Sequence, residues 1–146
     1  MRRTWRWVLG VLVAIVLVTA LALWLLLRGS LADLDGEHAL PGLAKPVTIE
    51  RDALGVVTIT AGSQADAMRA LGHVHAQERY FEMDLMRRSA AGELSALFGP
   101  KAIEADKRMR VHRLRARTEA HLDTALGDNG AVVRAYVDGV NEGLTD

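Results

Sequence analysis

Residues 46–92 read PVTIERDALGVVTITAGSQADAMRALGHVHAQERYFEMDLMRRSAAG, and the period of the apolar positions changes once along them. Val47 and Ile49 alternate with Thr48 and Glu50, a period of two carried by β-branched residues, as in a half-buried strand. Asp52-Ala53-Leu54-Gly55 brings turn residues, and Val56-Val57-Thr58-Ile59-Thr60 resumes the strand composition. A β-hairpin with a four-residue connection is expected. A lone hairpin is marginal in water, so it needs a larger sheet to join. Gly62-Ser63 ends the second strand. Ser63-Gln64-Ala65-Asp66 then has the form of a capping box, in which the serine oxygen takes an orphan N–H at a helix start. From there the period is helical. Ala67, Leu71 and Val74 stand at i, i+4 and i+7, Phe81 and Leu85 continue the stripe, and Met68, Met83 and Met86 flank it. Asp84 with Arg87 and Arg88, and Arg79 with Glu82, are spaced for ion pairs across one turn. The helix is predicted from 63 to about 91, stopped by Gly92. A mid-helix glycine such as Gly72 costs about 1 kcal/mol relative to alanine, so close packing of another element is expected there.

Toward the C-terminus, after Phe98-Gly99-Pro100, a highly charged helix is expected over 101–117, followed by another turn or two over 118–126. Gly127-Asp128-Asn129-Gly130 reads as a loop, and 131–144 as a last helix with Val133, Tyr136, Val137 and Val140 on one side.

Toward the N-terminus, residues 29–45, GSLADLDGEHALPGLAK, have Gly/Pro and acidic punctuation without a sustained period and read as a linker. Before them, the run bounded by Trp7 and Leu27, WVLGVLVAIVLVTALALWLLL, carries no charge. As a helix it is roughly 31 Å long, matching a hydrocarbon core of about 30 Å, and lipid leaves its backbone no other conformation. Trp5, Trp7 and Trp24 lie near the two ends, where indole rings favour the interface. Arg2, Arg3 and Arg6 precede the run, whereas Arg28 is followed by Asp33, Asp35 and Glu37. The positive-inside rule therefore puts Met1 in the cytoplasm and Gly29 onward in the periplasm or outside the cell. Ser30-Leu31-Ala32 offers the small residues of a signal-peptidase site, but the apolar run is longer than the 7–15 residues of a signal core. The expected organisation is thus a cytoplasmic tip and signal-anchor helix over 1–28, a linker over 29–45 and a folded region over 46–146.

Residues 1–28 hold four of the 18 Lys+Arg and none of the 18 Asp+Glu, which leaves 14 against 18 and a formal charge of −4 for the rest. That balance, with the expected export, argues against nucleic acid as a partner. The chain has no cysteine, which excludes disulfides and thiolate chemistry.

Few residues invite a chemical role. His75 and Glu78 share a helix face at i, i+3, a spacing that can serve a metal, but His73 points elsewhere and no second pair completes a site. Polar residues in a packed helix are the plainer reading. Ser63 and Ser30 each follow a glycine, the bond at which a self-cleaving hydrolase can expose a nucleophile. Ser63 has a role as helix cap, and Ser30 lies beside the membrane. Arg87 and Arg88 could hold an anion, yet Asp84 is within reach of both. His38, His112 and His121 stand alone. On spacing alone there are no catalytic, cofactor-binding or metal-ligating residues.

The order of several dispersed blocks says more. The stretch from Ile49 to Val56, the stretch from Ala70 to Asp84, Arg87-Arg88-Ser89-Ala90-Ala91-Gly92-Glu93-Leu94, Phe98-Gly99, Asp106 with Arg110, and Ala135-Tyr136-Val137-Asp138-Gly139-Val140-Asn141 resemble, in register, the opening of the penicillin acylase (penicillin amidase) family. The resemblance covers roughly 95 residues. Two departures stand out: the family usually has Pro-His where this chain has Val57-Thr58, and often Asp where Glu78 stands.

The resemblance implies an α+β chain, with a hairpin and helices beginning the four-layer αββα fold of the N-terminal-nucleophile hydrolases. Such a precursor cuts itself into two chains. The large one begins with a serine whose α-amino group acts as base beside an oxyanion hole. Penicillins, cephalosporin-type compounds and acyl-homoserine lactones are the implied amide substrates, and calcium is implied only for the complete enzyme. No family nucleophile or calcium ligand maps onto 1–146. The expectation is an inactive N-terminal fragment of a membrane-anchored amidohydrolase whose missing large chain carries the nucleophile. The alternative is a free-standing single-pass protein with a non-catalytic binding or scaffolding module. On the fragment reading, 29–146 alone should be poorly soluble or molten, with strand edges and apolar stripes uncovered.

Overall fold

The computed structural model describes residues 2–29, 31 and 34–145. Two units divide the chain between Glu37 and His38. The first contains one long helix, α1 (Arg2–Gly29). Its segment Thr4–Gly29, 26 residues, is long and apolar enough to cross a membrane, a test that a signal sequence also passes. Near its end the Arg28 guanidinium lies over the Trp24 ring, 5.2 Å from the centroid.

The second unit starts with the hairpin. Strands β1 (Thr48–Arg51) and β2 (Val57–Thr60) pair antiparallel, with Ile49 opposite Ile59 and Arg51 opposite Val57. Ile49, Arg51, Val57 and Ile59 are half-buried on one face, while Thr48, Glu50, Thr58 and Thr60 are exposed on the other. The alternation thus holds through Val57-Thr58. Residues 52–56 separate the strands, one more than expected, but the Asp52 N–H donates to the Val56 carbonyl at 3.1 Å and closes the loop around Ala53, Leu54 and Gly55. Asp52 accepts N–H bonds from Leu54 and Val56 on one carboxylate oxygen, both at 2.8 Å, and Gly55 donates back to the Asp52 carbonyl at φ +79°. Val56 spends its N–H on that carboxylate, so the ladder begins at Val57. This is a three-residue turn with a glycine bulge.

Helix α2 (Gln64–Ala91) begins and ends where its sequence signals place it. The Ser63 hydroxyl oxygen accepts from the Asp66 amide at 3.1 Å. At the other end Gly92 adopts the left-handed conformation at φ +70°, and Glu93 N–H reaches back to the Arg88 carbonyl at 2.8 Å. The buried face of α2 differs from the expected stripe. Asp66, Ala70, Gly72, His73, Val74 and Ala76 are buried, whereas Phe81 is 64% and Met86 73% exposed. Small size selects this face, because it receives the last helix at backbone contact.

The single helix expected over 101–117 is broken. Short α3 (Ser95–Phe98) leads through a 3₁₀ turn (Gly99–Ala102) into α4 (Ile103–Arg110), and α5 (Leu114–Leu126) starts after an elbow. Arg113 sits in the left-handed region at φ 51°, which no continuous helix admits. A second 3₁₀ turn (Gly127–Asn129) joins α6 (Gly130–Glu142).

Helix α6 packs against α2 to form the core, where Ala70, Val74, Ala76 and Ala135 are buried. A Cβ on Gly72 would stand 2.1 Å from the Tyr136 carbonyl oxygen, and one on Gly139 would stand 1.9 Å from the Arg69 carbonyl oxygen. Each helix therefore contributes a glycine at the crossing. This is the close packing expected at Gly72, with a counterpart on the partner helix.

Candidate functional site

The residues with chemical potential lie along α2 and the elements that touch it, and nearly all are held in structural contacts. His73 is buried, with its ring 6.5 Å from that of His38. His75, half-buried, has Nδ1 3.0 Å from the Tyr136 hydroxyl, with the rings edge to face at 5.8 Å. Glu78, expected to share a face with His75, instead accepts from Arg51 Nε at 3.0 Å and Nη2 at 2.8 Å, tying β1 to α2. The two candidates thus serve different partners. A His–Tyr pair can relay a proton, but among the described residues no hydrogen bond joins either one to a serine or threonine hydroxyl or to a carboxylate that would complete a nucleophile and its base.

The two buried acids act as clamps. Asp66 Oδ1 accepts from the Ala44 amide at 2.9 Å, and its own N–H is taken by Ser63. The Ala44 hydrogen bond, against the opposing effect of burial and with help from Ser63, the Lys45 amide and the Arg69 charge, lowers its carboxyl below the usual range. Asp66 thus fastens residues 44–45 to the helix start and does not close the box on Ser63. Asp106, 4% exposed, accepts from the Leu94 and Ser95 amides at 2.8 Å each. Burial pushes that carboxyl up, but the Ser95 and Leu94 bonds and the Arg110 charge overcome it, and the group lies below its ordinary value. Arg110 Nε donates to the Gly92 carbonyl at 2.8 Å. Asp106 and Arg110, matched together in the sequence, therefore hold the 92–95 turn from two sides and do not bond to each other.

The other candidates are equally occupied. Asp84 binds Arg87 and Arg88, both at 2.6 Å, and the Arg88 and then the Arg87 hydrogen bonds hold its carboxyl low. Those arginines are the expected ion pairs. Arg115 forks onto both Glu93 oxygens and keeps that carboxyl low in turn. Ser63 caps α2, and His112 and His121 are exposed. Ser30 and Ala32 of the signal-peptidase reading, with the second Gly-Ser bond at Ser30, and Asp33 of the charge-based orientation lie outside the described residues.

The described residues do not fit a calcium site. Calcium needs six to eight oxygens, whereas no three His, Asp or Glu side chains converge among them; both Asp106 oxygens and Asp66 Oδ1 accept backbone amides, which leaves only Asp66 Oδ2 of the buried pair without a hydrogen bond.

The roles of Asp66, Asp106 and Gly139 escape a reading of spacing. A signal existed for Gly139: like Gly72, it interrupts an apolar helical pattern inside a matched block.

The blocks that the structure joins, β1 to α2 and α2 to α6, are those that carried the resemblance. The penicillin amidase family model matches residues 46–146. The chain belongs to the penicillin amidase family. It is 44% identical over 117 residues to the penicillin acylase 2 proenzyme of Pseudomonas sp. (strain SE83), covering 79% of this chain and 15% of that protein. It is 38% identical over 112 residues to the acyl-homoserine lactone acylase QuiP of Pseudomonas aeruginosa, covering 77% of this chain and 13% of that one. A thermostable penicillin G acylase from Alcaligenes faecalis superposes with a TM-score of 0.58 at 30% identity, over 66% of this chain and 52% of that chain. The chain therefore spans about 15% of the length of the curated relatives it matches, and the likeness supports the family fold coarsely; the chain itself is mostly helical, with a two-stranded sheet and an apolar N-terminal helix.

Proposed function

We propose that residues 1–146 form the N-terminal part of a membrane-anchored acylase precursor. The complete enzyme would hydrolyse linear amide bonds in penicillin, cephalosporin or acyl-homoserine lactone type substrates. The observation that carries this reading is the family match over 46–146, set against relatives named as acylases that are several times longer. On this reading 1–28 is the anchor, 29–45 the linker and 46–146 the start of the catalytic domain, which lies in the periplasm or outside the cell.

In this division of labour the chain supplies framework. The Arg51–Glu78 pair and the α2–α6 crossing fix the hairpin and helices on which a larger αββα sheet would be built. The nucleophilic serine, the oxyanion donors and any calcium ligands would come from a large chain beyond residue 146. Chemistry there would follow the amine-activated serine route.

The test compares purified 1–146 with the product of the same reading frame carried downstream, using a chromogenic phenylacetyl anilide and an acyl-homoserine lactone. Turnover by the longer product alone is expected. Turnover by 1–146 itself would overturn the proposal.

A further inference from the structure

The elbow between α4 and α5 carries a dense run of positive charge. Residues 107–117, KRMRVHRLRAR, hold six cations and no acid, although the exported part as a whole is net acidic. Three of the six have structural partners: Lys107 pairs with Glu104, Arg110 with the Gly92 carbonyl and Arg115 with Glu93. The guanidinium groups of Arg108, Arg113 and Arg117 enter no ion pair among the described residues, and all three residues are exposed. Apolar side chains stand between them. Val111 is 78% and Leu114 38% exposed. Arg113 holds the bend in a left-handed conformation that a residue with a Cβ adopts only at some cost. Helix α5 has no buried residue. A 13-residue helix with little packing is marginal in water, so a further surface would stabilise it.

We infer that this elbow rests on an anionic phospholipid surface. The chemistry is complementary: unpaired guanidinium groups attract phosphate headgroups, and Val111 and Leu114 can enter the headgroup–acyl boundary between them. An anionic protein surface would suit the charges alone. The exposed valine at the tip, and the membrane-crossing class of helix carried by the same chain, favour lipid. This inference draws on the anchor reading for proximity: tethering raises the effective concentration of a weak surface contact.

The test uses the protein expressed from its whole reading frame, in nanodiscs of phosphatidylcholine alone or with about one-third phosphatidylglycerol. Hydrogen–deuterium exchange is followed over residues 105–120. Exchange is expected to slow about fivefold or more in the anionic discs, to recover in about 0.5 M salt, and to lose its lipid dependence in the Arg108→Gln/Arg113→Gln/Arg117→Gln variant. Equal exchange in both discs would overturn the inference. So would protection that survives the triple substitution, which would assign the elbow to a protein neighbour. If mass spectrometry shows a processed N-terminus, the anchor reading fails and the same comparison is run with added vesicles of the two compositions. A phosphatidylglycerol effect there sustains the elbow contact independently, and none refutes it.

Discussion

Replacing Gly139 by alanine tests the α2–α6 crossing on which the core depends. The new Cβ would lie 1.9 Å from the Arg69 carbonyl oxygen, where an ordinary contact is about 3.5 Å. The neighbour is helix backbone and cannot rotate away, so the two helices must part by roughly 1.5 Å. Overpacking of this kind costs about 1–3 kcal/mol, and parting the helices also loosens Ala70, Val74, Ala76 and Ala135 around the seam. Alanine returns about 1 kcal/mol through its better helix propensity. We expect a net loss of about 2 kcal/mol. The assay is urea unfolding of the protein expressed from its whole reading frame, followed by hydrogen–deuterium exchange across α2 and α6, which reads the crossing directly. Gly72→Ala should behave alike, and the double variant should lose less than the sum, because helices already parted accept the second methyl more readily. Gly130→Ala is the control, since its Cβ meets only the movable end of Arg134. A Gly139→Ala midpoint equal to wild type would refute backbone contact at the crossing.

Other outcomes follow from the same geometry. Arg113→Gly should raise the urea midpoint by the equivalent of about 0.5–1 kcal/mol, since it removes a left-handed penalty that exceeds glycine's extra chain entropy. Arg115→Ala should speed amide exchange across α5 while leaving the global midpoint almost unchanged, because the Glu93 fork holds a helix without buried residues. The carboxyls of Asp66, Asp84, Glu93 and Asp106 are all held low in the folded state, so the unfolded chain binds protons first. Their contribution is fully present above the ordinary carboxylate value of about 4 and is lost below it, as pH falls through the lowered folded-state values. Asp106→Asn should flatten that loss below about pH 4, measured by urea midpoints across the range.

The elements whose boundaries rest on a local hydrogen-bond rule were legible. Ser63 before Asp66 marks the start of α2, Gly92 its end, and Asp52 to Gly55 the hairpin turn; each requirement is satisfied within a few residues. The buried face of α2 was not legible, because hydrophobicity pointed to Leu71 and Phe81 whereas contact with α6 selects Ala70, Gly72 and Ala76 for small size. The elbow was equally hidden: Val111-His112-Arg113 holds neither glycine nor proline, and only the pinning of α4 on the 92–95 turn shows why the chain bends there. Of the chemical candidates, the sequence distinguished Ser63 as a cap and Asp84 as an ion-pair partner. The division of His75 and Glu78 between Tyr136 and Arg51 depends on long-range contacts that spacing does not encode.

The Asp66–Ala44 bond also has a mechanical side. Residue 44 stands between the N-terminal helix and the first strand along the chain, and the Gly42 backbone passes close against the Arg69 guanidinium, which is itself paired with Asp138 on α6. Tension transmitted along the polypeptide from its N-terminal side would therefore meet this cleat before it reached Thr48. The load would pass into the long helix and its partner, sparing a four-residue ladder that could be unzipped one bond at a time.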